Sequence, residues 1–288
     1  MRAITYSTYG PPDVLQLTEV SRPVPKDDEV LVRVRAAEAT KSDCEMRSFK
    51  YSVKWFWLPL RIALSVRKPR RQILGGYFSG EIESLWKDVT TFSVGDQVFG
   101  TAELRPGAYG EYVALPARYT IVAKPNNISF AEAAAVPLGG LNALHFMRRA
   151  KIRAGEQVLI NGAGGSVGAH AVQIAKSMGA EVTAVDSTTK EGMLRRIGAD
   201  HFVDYTKEDF AGRGQTYDVI FDHGSRELLY RLYRGSQSQR ALSLRQSPPV
   251  GHAALSAHNP VHEQDSHVRV RVRSRDERRE RSCWRSKR

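Results

Sequence analysis

Apolar and polar positions alternate differently in three stretches of the chain. Residues 29–36, EVLVRVRA, keep the two-residue period of a half-buried strand. Residues 2–6 and 15–20 carry weaker versions of it. Gly95-Asp96 marks a turn before a short strand at 97–99, and residues 109–115 give another strand that Pro116 ends. Such a run of short strands predicts a small barrel or sandwich. The pattern then changes. Ser129-Phe130-Ala131-Glu132 has the form of a capping box ahead of an alanine-rich helix. Pro137 to Gly140 is expected to interrupt that helix, with a second beginning near Leu141.

From residue 156 strands and helices alternate. A strand is expected at 157–160. A helix follows at 167–178, with Val167, Ala171, Ile174, Ala175 and Met178 on one face and Gly179 as its C-cap. A second strand at 181–185, a helix at 190–197 stopped by Gly198, and strands at 201–204 and 217–221 complete the series. A βαβαβ order of this kind implies a doubly wound parallel sheet. After Asp222 the organisation collapses into Ser, Gln, Arg and His, and residues 268–288 are low in complexity and strongly basic. A segment of that composition buries too little apolar surface to offset its ordering entropy.

The expected organisation is therefore an α/β chain. A β-rich domain spans 1–125, an incomplete doubly wound α/β domain spans 126–222, and a basic tail at 223–288 is expected to be disordered. The abrupt change at 223 suggests a shifted-frame or alternatively spliced tail. On that reading the strand near Tyr217 is left with an unpaired edge, and turnover by this polypeptide is weak or absent.

Composition changes this picture little. The net charge of +12 invites a nucleic-acid reading. However, residues 223–288 hold 14 Arg and 1 Lys against 6 acidic residues, so +9 belongs to the tail and +3 to the rest. The body carries no nucleic-acid recognition motif, which leaves only non-specific phosphate contact by the tail, marked by steep salt dependence. The two cysteines, Cys44 and Cys283, make neither a disulfide framework nor a C-x-x-C pair. No leader and no membrane span are read at the start, so a cytoplasmic location is expected. The histidines form no site: His145, His170 and His201 are isolated from one another, and the rest fall in the tail.

Chemistry concentrates in residues 158–168, VLINGAGGSVG. Gly162, Gly165 and Gly168 follow a strand and open a helix, with Gly164 between them and Ser166 and Val167 at the helix mouth. One glycine permits the tight turn, another lets backbone approach a pyrophosphate, and the last lets helix and sheet pack closely. The helix N-terminus offers amide donors to the phosphates. Asp186 ends the second strand, where an acidic residue accepts ribose hydroxyls and favours NAD. Ser187, Thr188 and Lys190 follow, and a lysine there can neutralise a 2′-phosphate, which favours NADP. The two signals conflict, and a solvated lysine is the plainer alternative for Lys190.

Taken together, GDQVFG (95–100), GAYGEY (107–112), AAAVPLGGLNALHF (133–146), the glycine segment at 158–187, IGADHFVDY (197–205) and YDVIFD (217–222) resemble the medium-chain dehydrogenase/reductase superfamily in its zinc-independent, quinone-oxidoreductase-like branch. The resemblance implies a GroES-like barrel followed by a Rossmann domain. It also implies hydride transfer between NAD(P)H and a small carbonyl, quinone or enone. In NADP-using relatives, residues at positions resembling Lys190 and Tyr205 hold the 2′-phosphate, and Asn142 resembles a position near the nicotinamide ribose. As a helix-start residue Asn142 reads equally well as a cap.

Zinc-dependent members carry a ligand cysteine in the segment matching 39–43 and a Gly-His-Glu matching 75–77. This chain has Thr40 and Gly75-Gly76-Tyr77, which offer neither thiolate nor imidazole, so no zinc is expected. A hydroxyl or ammonium must then stabilise developing charge, and Thr40, Lys41, Tyr51 and Tyr77 are the candidates. The run Trp55-Phe56-Trp57-Leu58 reads as pocket lining, dimer contact or core. The family commonly dimerises through a sheet edge from the region missing here, so a homodimer is expected only of a complete sheet. A catalytically inactive member that binds nucleotide weakly is the alternative to an active oxidoreductase.

Overall fold

A computed structural model of the chain describes residues 1–50, 68–208 and 215–222, and the backbone of two strands beyond them. Two compact units result, one spanning Met1–Pro137 and the other beginning at Leu138.

The first unit is antiparallel β structure. Its elements are β1 (Arg2–Thr5), β2 (Gln16–Glu19), β3 (Glu29–Ala37), helix α1 (Lys41–Ser48), β4 (Tyr77–Leu85), β5 (Gln97–Thr101), β6 (Tyr112–Pro116) and β7 (Ile121–Ala123). β1 and β2 pair with each other, and the rest form one sheet in the order β6-β3-β4-β5-β7. Val30, Val32, Phe78, Ile82, Val98 and Leu115 make its core. The alternation expected of β3 holds only in its second half. Glu29 to Val32 are all buried, on both faces of the strand, and buried Glu29 is paired with Arg105. β4 carries no clear apolar alternation. Its buried Ser79 is satisfied by donating to the Phe130 carbonyl at 2.5 Å, so a polar residue sits inside the sheet without an unmet hydrogen bond.

Helix α2 (Phe130–Ala150) runs unbroken through Pro137, Gly139 and Gly140, which corrects the expected interruption. Gly139 serves packing. A side chain at Gly139 would place Cβ 2.5 Å from His170 Nδ1 and 2.6 Å from Ser166 Oγ, so only a bare backbone fits against the neighbouring helix. The capping box forms as read, with Ser129 Oγ and the Glu132 carboxylate bonded reciprocally.

The second unit continues with β8 (Gln157–Asn161), α3 (Ser166–Ser177), β9 (Glu181–Asp186), α4 (Glu191–Arg196), β10 (His201–Asp204), β11 (Val219–Asp222), β12 (Arg240–Ser243) and β13 (Arg271–Val272). The strands form one sheet, β10-β9-β8-β11-β12-β13, parallel except for the last pairing. Val167, Ala171, Val172 and Ala175 of α3 pack on Val158, Ile160, Val182, Ala184 and Phe221. Leu159, Val185, Val203, Tyr217 and Ile220 form a second cluster.

The expected bare edge on the fourth strand is not observed. β11 pairs with β8 on one side and with β12 on the other. Sheet ladders are made by backbone N–H and C=O groups, so a stretch reading Arg-Ala-Leu-Ser can add a strand without the apolar run sought in the sequence. Apart from β12 and β13, the disorder expected of 223–288 lies outside the described residues, as do Tyr51 and the Trp55–Leu58 run. Among the described residues no helix is long and apolar enough to cross a membrane.

Candidate functional site

β8 ends at Asn161 and delivers the chain into the loop that starts α3. Gly162 has φ +74, a backbone region that L side chains rarely adopt. Gly168, in the first turn of α3, lies against that loop. A Cβ there would stand 2.2 Å from the Gly162 carbonyl oxygen and 2.7 Å from Ala163 Cα. Gly165 is the N-cap residue and contributes no side-chain cap. Ser166, Val167 and Gly168 form the opening turn, whose amides have no carbonyl four residues back within the helix. A cradle lined by bare backbone and amide donors fits a pyrophosphate.

Asp186 closes the cradle from the end of β9. Its Oδ2 accepts from Gly164 N at 2.7 Å and its Oδ1 from Ser187 N at 2.8 Å. Lys190 ends the single 3₁₀ turn Thr188–Lys190, and its stem lies across Gly164, where a Cβ would be 2.9 Å from Lys190 Cγ. Tyr205 follows β10 with an exposed side chain, and its amide donates to the Asp186 carbonyl at 3.3 Å. The structure therefore gathers Gly162, Gly164, Gly165, Ser166, Val167, Gly168, Asp186, Ser187, Thr188, Lys190 and Tyr205 around one strand edge. Asn142 is not at a helix start. It lies inside α2, where its Nδ2 donates to the Leu138 carbonyl at 2.8 Å.

Three residues here escaped sequence reading. Asn161 and Asp222 end the adjacent strands β8 and β11, in register, and Asn161 Nδ2 donates to Asp222 Oδ1 at 2.8 Å with both side chains buried. In an open α/β sheet this is the switch point, where the crossovers diverge and ligands bind. Asp204 ends β10 and accepts from Thr188 and Thr206. The signal available was positional: Asn161, Asp186, Asp204 and Asp222 each end a parallel strand.

The hydroxyl candidates of the first unit have different surroundings. Thr40 is buried as the N-cap of α1. Its hydroxyl donates to Asp43 Oδ2 at 2.7 Å and accepts from Asp43 N at 3.2 Å, so its proton is already committed. Asp43 also accepts from Gly75 N at 3.2 Å and from the Tyr109 side chain. This Thr-x-x-Asp spacing is a capping signal that the sequence reading passed over. Tyr77 opens β4 half-buried, and burial, with Glu38 and Asp43 nearby, pushes its hydroxyl up to about 12. Burial also raises Tyr109, followed by Asp43, which acts on it both as a nearby charge and as a hydrogen-bond partner. Lys41 is exposed, with Nζ 3.9 Å from Glu45 Oε1. Among the described residues no three His, Cys, Asp or Glu side chains come together to hold a metal ion.

With this geometry in hand, relatives can be placed. Residues 26–126 match the alcohol dehydrogenase GroES-like domain, and residues 166–233 match the zinc-binding dehydrogenase family. The chain is 30% identical over 260 residues to the 2-methylene-furan-3-one reductase of Solanum lycopersicum, covering 86% of this chain and 64% of that protein. It is 31% identical over 253 residues to a chloroplastic quinone-oxidoreductase homolog of Spinacia oleracea, covering 83% of this chain and 72% of the relative. The quinone oxidoreductase structure from Coxiella burnetii superposes with a TM-score of 0.70 at 28% identity, over 86% of this chain and 83% of that one. The chain thus spans less than two thirds of the tomato protein and nearly three quarters of the spinach one. A GroES-like β unit joined to a glycine-loop parallel sheet, with sequence identity running through both, establishes that the chain belongs to the medium-chain dehydrogenase/reductase superfamily, in its quinone-oxidoreductase-like branch.

Proposed function

We propose that this chain binds a nicotinamide dinucleotide and serves hydride transfer to a small quinone or enone without zinc. The observation that carries the reading is the cradle itself: Gly168 has no room for a methyl group against Gly162, and Asp186 is bonded to the loop it faces. When bound, the nicotinamide supplies or accepts the hydride. The first amides of α3 would hold the pyrophosphate, and Asp186 would take ribose hydroxyls. Lys190 lies beside Asp186 at Gly164, and Tyr205 is bonded through its amide to the Asp186 carbonyl; they offer a cation and a phenol for a 2′-phosphate, which favours NADP(H).

In the first unit the candidate donor is Tyr77, a phenol protonated at neutral pH, because the Thr40 proton is engaged by Asp43. The positions 40 and 75–77 supply neither thiolate nor imidazole, which supports chemistry without zinc. The relatives' names, a furanone reductase and a quinone-oxidoreductase homolog, support an electron-poor conjugated substrate.

The test is titration of the purified chain with NADPH and NADH by intrinsic fluorescence, then turnover of an enone and a quinone with and without a chelator. Saturable binding and chelator-insensitive turnover are expected. Absence of binding to either nucleotide would remove the proposal. Binding without turnover would favour a nucleotide-binding chain that has lost the reaction.

A further inference from the structure

The turn after β9 holds the residues that would meet the adenosine end of a dinucleotide, and its backbone bonds, Ser187 N to Asp186 Oδ1 and Lys190 N to the Ser187 carbonyl, leave its side chains to be fixed from elsewhere. Ser187, at its N-cap, makes no side-chain cap, and its Oγ lies 3.0 Å from Thr189 Oγ1. The tether comes from the next strand. Thr188 Oγ1 donates to Asp204 Oδ2, while Asp204 Oδ1 accepts from Thr206 N at 2.8 Å and Thr206 Oγ1 at 2.6 Å. Asp204 is 8% exposed and stands in register with Asp186 on the adjoining strand. Lys207 Nζ lies 3.6 Å from Asp204 Oδ2. The hydrogen bonds from Thr188 and Thr206 hold the Asp204 carboxyl well below the usual carboxylate range. Thr188 is therefore the donor in the tether, and its hydroxyl is spent on Asp204 instead of on a ligand.

Lys190 closes the same turn two residues on, so the tether at the turn's first residue holds the backbone from which its ammonium reaches. Tyr205 follows Asp204 directly and is fixed by its amide bond to the Asp186 carbonyl. A phosphate brought here meets the carboxylate of Asp186, with that of Asp204 one strand away. Its acceptance depends on where the ammonium stands, because the attraction falls with distance and halves between about 4 and 8 Å.

We propose that Asp204, acting through Thr188, is a positioning residue that sets the preference for a 2′-phosphorylated adenosine cofactor. The proposal rests on the dinucleotide reading above and adds which residue governs the choice.

The experiment titrates the full chain with adenosine 2′,5′-bisphosphate and with 5′-AMP. The proteins are the wild type, Thr188→Val, Thr188→Ser and Asp204→Asn, each checked for folding by circular dichroism. The wild type is expected to prefer the bisphosphate. Thr188→Val cuts the tether at an exposed position and should lower that preference about tenfold by displacing the ammonium, with little change for 5′-AMP. Thr188→Ser keeps the hydroxyl and should restore the ratio. Asp204→Asn keeps its oxygen for Thr206, turns an amide donor to the Thr188 hydroxyl, which accepts, and removes an anion, so it should raise the preference. An unchanged ratio in Thr188→Val, a loss in Thr188→Ser equal to that in Thr188→Val, or a fall in Asp204→Asn overturns the inference, as does a wild type that binds both ligands equally. A wild type that binds neither ligand removes the dinucleotide reading instead. Should Thr188→Val not fold, Thr188→Ala takes its place with the same expected fall.

Discussion

Replacing Gly168 by alanine adds one methyl group at the tightest point of the cradle. The new Cβ would lie 2.2 Å from the Gly162 carbonyl oxygen and 2.8 Å from that of Ala163, and both obstacles are backbone. Reaching ordinary contact requires a retreat of roughly 1 Å or more. Overpacking of this kind costs about 1–3 kcal/mol. Gly168 is also helical, and alanine there recovers about 1 kcal/mol of helix propensity, so net destabilisation in urea should be about 0–2 kcal/mol. The recovered propensity does not help ligand binding, which compares two folded states. A loop displaced by an ångström moves its amides off the phosphates, and NADPH affinity should fall at least about tenfold, or about 1.4 kcal/mol. Gly192 in α4 is the control, because among the described residues the one side-chain atom within 4 Å of a Cβ there is Arg196 Nη1 at 3.8 Å. Gly192→Ala should stabilise the chain by about 0.5–1 kcal/mol and leave nucleotide affinity unchanged. Equal NADPH affinity in the wild type and Gly168→Ala would refute the close-approach argument.

Other outcomes follow from the same contacts. Asn161→Ala leaves the buried Asp222 without one of its donors and should cost about 1–3 kcal/mol in chemical denaturation. Thr40→Ala removes a buried cap and should cost about 1 kcal/mol, whereas Thr40→Ser should be nearly neutral. Tyr6 and Tyr77 are both raised to about 12, chiefly by burial. The folded state therefore keeps protons that the unfolded state has released, and stability should decline as pH rises from about 10 to 12. Tyr77→Phe should flatten part of that decline in a pH-dependent melting series. Burial pushes the Asp200 carboxyl up, but Lys176 at 2.8 Å and the Val182 amide pull it further down. Its stabilisation is present above the ordinary aspartate pKa and is lost as pH falls below it. Asp200→Asn should shrink the acid-side loss.

What could be read from the sequence was what local pattern encodes. The glycine loop, α3 and β9 follow from spacing alone, because φ at Gly162 and contact at Gly168 are demanded by a strand turning directly into a helix. What could not be read was decided by partners far along the chain. Gly139 looks like a breaker until Ser166 and His170 are seen to need the space. β4 has no clean alternation because Ser79 finds its acceptor in Phe130, fifty-one residues away. β12 lacks an apolar run because a ladder asks only for backbone. In the site, Asp186 was legible from its place after the fingerprint, while Asp204 is bonded to a threonine in the turn after another strand, which no one-dimensional spacing records.

The central strand of the parallel sheet is also the one whose neighbours arrive at the most different times. β8 meets β9 across a separation of 24 residues at the Gln157–Glu181 rung, but it meets β11 across 61 at the Asn161–Asp222 rung. Closing the longer loop costs more chain entropy before any contact repays it. The two strand ends beneath the glycine loop should therefore come together late in folding, so that the cradle gains its floor only as the sheet is completed.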